Sequence, residues 1–425
     1  MSNYINIGII GLGTVGASVV KVLKRNSRLI EKRAGVKIKI KKAADIRNRK
    51  SVAGKAYTKN VLDVISDPDI SIVVEAMGGV DPAKKYVLAA IRSGKHVVTS
   101  NKELIAKHGK GVIDAARKAG VQVLFEGSVC GGIPIIHSIR ECLAADDIHE
   151  ISGIVNGTTN YILTKMTKKG MSFNAALKEA RGKGFAEADP KMDMDGSDAA
   201  YKAAILAHVS SGSFIDPSKI YREGILNIAM EDIEYAKEIG YVIKLLAIIK
   251  ISGRELEVRV HPTLIEKNHP LAQVNNNFNA VFVKADAMGD AMFYGEGAGG
   301  LPTASSVLSD VIDIAKGASC CSDCCSYYPP AKNLKIKNIG EIRSRYYIRL
   351  EAPDRSGVLA GISGVFTKKK ISIQEVVQRE SKGKNAQIVI ILHENKEKDV
   401  QDALRIIAKL PVVKRIRSVI RVGIE

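Results

Sequence analysis

The chain has no apolar run near the roughly 20 residues that a membrane-spanning helix requires. Its opening stretch, MSNYINIGIIGLGTVG, passes straight from an apolar run into a glycine-rich turn, with no basic flank ahead of it. Neither a transmembrane segment nor an export signal is expected, so the protein is expected to be cytoplasmic with no membrane partner. Zinc-finger spacings, an RNA-binding aromatic signature and a basic tail are also missing. The formal net charge of +19 is spread along the chain with Asp and Glu between the Lys and Arg residues. Nucleic acid is therefore not expected as a partner, and anionic cofactors account for the surplus. Six cysteines are present: Cys130, Cys142 and the cluster Cys320, Cys321, Cys324, Cys325. No second Cys or His pair stands at a zinc-ribbon spacing, which leaves the cluster as a helix end or linker, or as a metal or redox site.

With 425 residues, 46% hydrophobic and 26% charged, the chain is an ordinary globular sequence too long for one core, so two or three domains are expected. Apolar runs suited to buried strands alternate first with helical stretches: Ile5 to Ile10, Val15 to Leu23, Val36 to Ala43, Ile70 to Glu75, a helix from Asp81-Pro82 to about Ser93, His96 to Thr99, a helix Gly111 to Ala119, and Val121 to Phe125. That alternation predicts a parallel sheet covered on both faces. Longer helices (Ile133 to Cys142, Ala175 to Arg181, Ala199 to Val209) with a few strands such as Ile148 to Val155 predict a second domain of α+β type, and a helix over Leu301 to Ala315 is expected to return to the first. Pro329-Pro330 marks a boundary. Beyond it, Tyr346 to Glu351, Gly357 to Thr367, Ser372 to Arg379, Ala386 to His393, Lys398 to Ala408 and Val412 to Val422 follow the β-α-β-β-α-β order of a ferredoxin-like domain. The expected division is 1–130 (with helix 301–318 returning to it), 131–300, a linker 319–343, and 344–425.

Gly11-Leu12-Gly13-Thr14-Val15-Gly16 follows a predicted strand and opens a predicted helix. Gly11 permits a tight turn, Gly13 lets the backbone approach a pyrophosphate, and Gly16 lets the helix pack close to the strand. Backbone N–H groups at Thr14 and Val15 then face the phosphates at the positive helix end. This is the turn of a Rossmann-type nucleotide-binding domain. For the second ribose, Asp45 stands where a carboxylate would select NAD, while Arg47, Arg49 and Lys50 close behind it suit the extra phosphate of NADP, so either cofactor is open.

The densest chemistry lies in ARGKGFAEADPKMDMDGSDAAYK, residues 180–202, where Glu187, Asp189, Asp193, Asp195 and Asp198 crowd a Gly- and Pro-punctuated stretch. Like charges so close repel, and folding alone does not call for them. A calcium loop lacks its third early acid and its terminal glutamate here. Ser197-Asp198 are good helix-capping types before Ala199, and Asp198 and Lys202 fall one turn apart on one helix face. The pair is either an exposed ion pair or a lysine proton donor held by a carboxylate, as carbonyl reduction needs.

The pattern Ala180-x-x-x-Gly184-Phe185-Ala186-x-x-Asp189-Pro190-x-x-Asp193-Met194-x-Gly196-x-Asp198-x-x-x-Lys202 resembles the signature of homoserine dehydrogenases. TSNKELIA around Lys102, FEGSVCGGIPII around Glu126, NGTTNYIL from Asn156 and GEGAGGLPTASSVLSD from Gly295 are similar to segments of that family in the family's order, and the tail resembles an ACT domain. The resemblance implies NAD(P)H-dependent interconversion of L-aspartate 4-semialdehyde and L-homoserine, in threonine, methionine and isoleucine biosynthesis. By the same resemblance Lys202 is the general acid or base. Asp198, Glu187 and Asp193 hold the substrate, Lys102 lies at the cofactor–substrate junction, and Gly184 with Gly297, Gly299 and Gly300 lies against the cofactor. It also implies a monovalent cation, usually sodium, held by Glu126 and the carbonyls of Val129, Gly131 and Ile133; from its position alone Glu126 reads as a strand-end acid. A homodimer or homotetramer is expected, with threonine as an effector of the ACT domain. Many members carry arginine just before the acid after the second strand, where this chain has Ala44.

Overall fold

The computed structural model describes residues 4–187, 189–317, 334–378 and 385–423. The four-cysteine cluster and Pro329-Pro330 lie outside the described residues. The chain divides into two compact units, one of residues 1–149, 201–220 and 279–333, the other of 150–200, 221–278 and 334–425.

The first unit is built on a six-stranded sheet in the order Tyr57–Thr58, Lys37–Ala44, Tyr4–Ile10, Ile70–Glu75, His96–Thr99, Val123–Leu124, with every pair parallel. Ile7, Ile9, Ile10, Ile72, Val73, Val74, Val97 and Val98 are fully buried, as strands covered on both faces require. The strand order is that of a Rossmann fold. On one face the helix Thr14–Arg25 contributes Val19, Val20 and Leu23 to the core, and the late helix Gly300–Gly317 adds Ala304, Val307, Leu308, Val311 and Ile314 to the same cluster.

Two expected helices of the first unit begin away from their predicted starts. The one predicted over Gly111 to Ala119 spans Lys102–Ala119, because the Asn101 side chain caps it by accepting from the Leu104 N–H. Gly109 within it is no break, since a Cβ there would come within 3.3 Å of the Phe214 ring. The helix predicted over Ile133 to Cys142 starts only after Pro134, at Ile135, and widens into a π turn over Ser138–Cys142.

The second unit contains a mixed sheet running Ile148–Ile154, Tyr241–Ser252, Glu255–Glu266, Arg415–Val422, Arg343–Pro353, Asn385–Lys396, Ile373–Gln378. Its last four strands, with the helices Val358–Lys368 and Glu397–Ile407, make the expected ferredoxin-like domain around Tyr346, Ile348, Leu350, Phe366, Ile390 and Leu404. Its C-terminal strand pairs parallel with Glu255–Glu266, with Thr263 opposite Arg421. A buried ion pair adds to that junction: Arg349 Nε donates to Asp232 Oδ1 at 2.7 Å and Nη2 to Oδ2 at 3.1 Å, and the Tyr347 hydroxyl donates to Asp232 at 3.1 Å. Removing one partner of such a pair leaves an uncompensated buried charge.

Candidate active site

The phosphate turn is shaped by sterics. Gly11 has φ +93°, and a Cβ there would lie 2.7 Å from the Ala76 carbonyl oxygen; a Cβ on Gly16 would lie 1.9 Å from that of Gly11. Gly13 faces no atom within 4 Å, so its surface is open to a ligand. The helix starting at Thr14 carries no acid in its first turn, which leaves its N-terminus suited to an anion. Asp45, just past its strand and 8% exposed, accepts the Leu12 N–H at 2.8 Å with Oδ2 and the Arg47 N–H at 2.8 Å with Oδ1. Its carboxylate thus latches the turn itself, a role its sequence position did not suggest. Arg47 is largely exposed, its Nε 3.8 Å from Asp45.

In the same unit a cavity of about 230 Å³ brings together Thr14 and Val15 of the turn, Lys102, Gly131, Gly297 and Gly299, and Lys202. Each is positioned by its own local structure. Lys102 opens its helix, and the capping Asn101 is held in turn: its Nδ2 donates to the Gly79 carbonyl at 2.6 Å, and its N–H to Thr99 Oγ1 at 3.0 Å. Thr99 donates to the wholly buried Glu75 at 2.5 Å. Burial pushes the Glu75 carboxyl up, against the hydrogen bonds from Thr99 and Met77. Gly131 has its carbonyl accepting from Ser306 Oγ at 2.6 Å, and a Cβ on it would lie 2.4 Å from Thr303 Oγ1. Gly297 leaves room for the Asn279 side chain, and Gly300 for Ser18 and the Thr14 carbonyl, so Gly300 serves the helix contact more than the cavity. Cys130, which the sequence did not single out, also lines the cavity, with φ +50°.

Glu126 is 3% exposed. Its two oxygens accept the N–H groups of Ile136 at 3.0 Å and His137 at 2.6 Å, and its own N–H donates to Asp310 Oδ2 at 2.9 Å. Burial pushes its carboxyl up to about 7, against those backbone hydrogen bonds. Asp310 is held well above the usual carboxylate range by burial and then by the charge of Glu126. Two buried carboxyls so close favour a cation beside them. Among the described residues no group of three or more His, Cys, Asp or Glu side chains could hold a metal ion. A cation here would therefore rest on Glu126 and backbone carbonyls. Val129, Gly131 and Ile133 lie buried in the loop that follows Glu126, and oxygen donors of this kind suit a hard cation.

The residues expected to hold substrate belong to the second unit. Asn156 Nδ2 donates to Asp193 Oδ1 at 2.7 Å and to Asp198 Oδ2 at 2.8 Å, while its Oδ1 accepts the Thr159 N–H at 2.9 Å and so caps the helix Gly157–Lys169. One amide thus gathers two carboxylates, a role that the resemblance of NGTTNYIL to a family segment did not assign to Asn156. Thr158 Oγ donates to the Phe185 carbonyl at 2.6 Å, fixing the turn after Gly184. Gly184 has φ +73° with no neighbour around a Cβ, and Glu187 is exposed. The helix expected from Ala199 begins at Ser197, whose N–H donates to Asp195 Oδ1 at 2.9 Å. Asp198 therefore sits in the first turn, where the helix dipole favours a carboxylate, with Lys202 one turn later on the same helix. Both are at least nine-tenths buried, so the exposed surface ion pair is not what the structure holds.

No described helix is long and apolar enough to cross a membrane. Residues 134–312 match the family model for homoserine dehydrogenase, residues 11–126 that for the homoserine dehydrogenase NAD-binding domain, and residues 346–412 that for the ACT domain. A homoserine dehydrogenase of Bacillus subtilis is 40% identical over 424 residues, covering 98% of each chain. The crystal structure of a homoserine dehydrogenase from Thiobacillus denitrificans superposes with a TM-score of 0.95 at 42% identity, covering 99% of this chain and 98% of that one. A hyperthermophilic archaeal homoserine dehydrogenase in complex with NADPH matches with a TM-score of 0.63 at 29% identity, over 73% of this chain and 97% of its own. With sheet order, phosphate turn and full-length relatives in agreement, the chain belongs to the homoserine dehydrogenase family of NAD(P)-dependent oxidoreductases and carries an ACT domain.

Proposed function

We propose that Lys202 moves the proton in the reversible reduction of L-aspartate 4-semialdehyde to L-homoserine, with Lys102 at the cofactor–substrate junction. The observation that carries this is the single cavity in which the phosphate turn, Lys102 and Lys202 meet. Bound nicotinamide cofactor supplies or accepts the hydride at the substrate carbon. In the direction of reduction, Lys202 Nζ gives a proton to the oxygen as the carbonyl π pair moves onto it, and in oxidation it takes that proton back. Asp198 stands one turn away on the same helix, and Lys102 steers anionic groups. Asp193, Asp198 and Glu187 receive the substrate's α-ammonium group, whose charge is opposite to theirs. Thr14, Val15 and Gly13 hold the pyrophosphate, with Gly184, Gly297 and Gly299 against the remainder of the cofactor. NADP is accommodated through Arg47, and NAD through Asp45; NADPH is what the archaeal relative holds.

We further assign a sodium ion to Glu126 and the carbonyls of Val129, Gly131 and Ile133, and the division into nucleotide (1–130), catalytic (131–300) and regulatory (344–425) domains. The regulatory domain takes threonine at the turn around Asp354, where Gly357, at φ +87°, precedes the helix Val358–Lys368. Assembly of a cytoplasmic homodimer or homotetramer uses the outer strand Ile373–Gln378, since the other edge of that domain is taken by Glu255–Glu266 within the chain. The deciding experiment follows NADPH and NADH oxidation with the semialdehyde, in sodium and in choline buffers. Turnover with both reductants, faster in sodium, is expected; no turnover with either would overturn the assignment.

A further inference from the structure

The ACT domain reaches the substrate loop through one buried arginine in the second unit. Arg421, 1% exposed, lies on the C-terminal strand opposite Thr263. Its Nε and Nη2 donate to the Glu397 carboxylate at 2.9 and 2.7 Å, within the ACT domain. The rest of the guanidinium turns outward from that domain: Nη1 donates to Glu223 Oε2 at 3.1 Å and Nη2 to the Tyr221 hydroxyl at 2.8 Å, with the guanidinium carbon 4.8 Å from the centre of the Tyr221 ring. The Tyr221 hydroxyl in turn donates to Glu223. A planar guanidinium bound on both edges fixes direction as well as charge, which a lysine would not.

Glu223 is joined to the substrate loop by backbone. Tyr221 and Arg222 pair with Arg259 and Val260, and the Glu223 N–H donates to the Val260 carbonyl at 2.8 Å. One residue on, Gly224 lies so close to Met194 that a Cβ would come 1.7 Å from its carbonyl oxygen. The Ile225 N–H donates to that same oxygen at 3.0 Å. Gly196, at φ +82°, faces the Glu223 carbonyl, 3.3 Å from where its Cβ would be. Residues 223–225 are thus the bed on which Asp193 to Gly196 rests. That loop leads directly to Asp198, and Asn156 bonds both Asp193 and Asp198.

We propose that Arg421 is a positioning residue for the substrate: by holding Glu223 it sets the loop that carries Asp193 and Asp198, and so links the state of the ACT domain to substrate affinity. A change in the ACT sheet that moves Arg421 must either drag Glu223 or leave it without its charge partner, and both disturb the bed under Met194. The link acts on substrate and not on cofactor, because the loop it moves belongs to the substrate residues. This rests on the reading that Asp193 and Asp198 bind substrate.

The test is steady-state kinetics on full-length Glu223→Gln and Arg421→Lys, with Asp198→Asn measured beside them and thermal melting on all. Glu223→Gln keeps the side chain's size and removes the charge, so it is expected to fold. Its KM for homoserine should rise about tenfold with kcat within about twofold and the cofactor KM unchanged, the signature of lost ground-state binding. Arg421→Lys, which keeps the charge and loses the two-edged geometry, should shift in the same direction. A folded Glu223→Gln protein with wild-type homoserine KM overturns the proposal, as does a parallel rise in both KM values, which would mark general loosening. If Asp198→Asn is impaired while Glu223→Gln is not, only the link fails; if Asp198→Asn is also unimpaired, the substrate assignment falls with it.

Discussion

The phosphate turn and the carboxylate loop solve opposite problems. At Gly11, Gly13 and Gly16 the backbone is shaped by what cannot be there: two positions would clash with a Cβ and one is left open. Around Asp193 and Asp198 the shape depends on what is there, two carboxylates gathered on one Asn156 amide. A site made by steric exclusion is set by its backbone before a ligand arrives, whereas a site made of like charges depends on the polar groups that gather them. Each class of substitution should therefore be felt in a different place. On the proposed assignments, changes in the turn are expected to act on geometry and on cofactor, and changes in the loop on charge and on substrate.

The largest effect is expected at Lys202, the residue proposed to move the proton. Lys202→Ala should lower kcat by about 100-fold or more with cofactor affinity nearly intact, since proton transfer is lost and the turn is untouched. Stopped-flow turnover with NADPH binding by fluorescence checks this; a variant that turned over like wild type would remove Lys202 from the mechanism. A smaller effect is expected at Asp45, which belongs to both sides of the comparison, being a charge that serves a turn. Asp45→Ala removes the acceptor for the Leu12 and Arg47 N–H groups, so both cofactors should weaken. NAD should weaken about tenfold more than NADP, because Arg47 can still meet the extra phosphate. Equal losses of NADH and NADPH affinity would mean that Asp45 acts only as a latch.

The smallest effect on turnover is expected at His208, on the same helix as Lys202. It is 4% exposed and stacks on Phe214 with ring centres 3.7 Å apart. Burial pushes its imidazole down to about 4 from the ordinary 6.5. The folded form therefore binds fewer protons than the unfolded one between these values. Its contribution to stability is complete above about pH 6.5 and is lost as pH falls toward 4, by up to about 3 kcal/mol. His208→Phe should keep kcat within about twofold and flatten the acid limb of a denaturation profile between pH 6.5 and 4. An unchanged acid limb would show that other groups set it.

Local constraints were legible in the sequence and long-range ones were not. Gly11 to Gly16 could be read because a glycine's freedom is a property of its own backbone, and Asp198 with Lys202 because helical spacing puts them one turn apart. The parallel sheet followed from buried runs between helices. The strands Tyr241–Ser252 and Glu255–Glu266 were missed, since an apolar run such as YVIKLLAII has no clear period, although Gly253 marks the hairpin between them. The short helices Ser27–Ala34 and Val61–Ile65 went unread for the same want of a full periodic window. Asp45 as a latch depends on an N–H 33 residues away, and the support of Lys102 depends on a chain from Glu75 through Thr99 to Asn101. Arg421 meets Glu223 across 198 residues. No pattern within one segment announces such pairings.

Turn and loop are expected to act separately, and paired variants separate the two. NADPH dissociation constants from fluorescence titration and homoserine-dependent turnover at saturating cofactor would be measured for Gly16→Val and Asp198→Asn. Gly16→Val should weaken NADPH by about tenfold or more because its side chain cannot pass the Gly11 carbonyl. Asp198→Asn should bind NADPH as wild type does while homoserine turnover falls by a similar factor or more. Loss of NADPH affinity in Asp198→Asn equal to that in Gly16→Val would contradict the division between a steric cofactor site and an electrostatic substrate site.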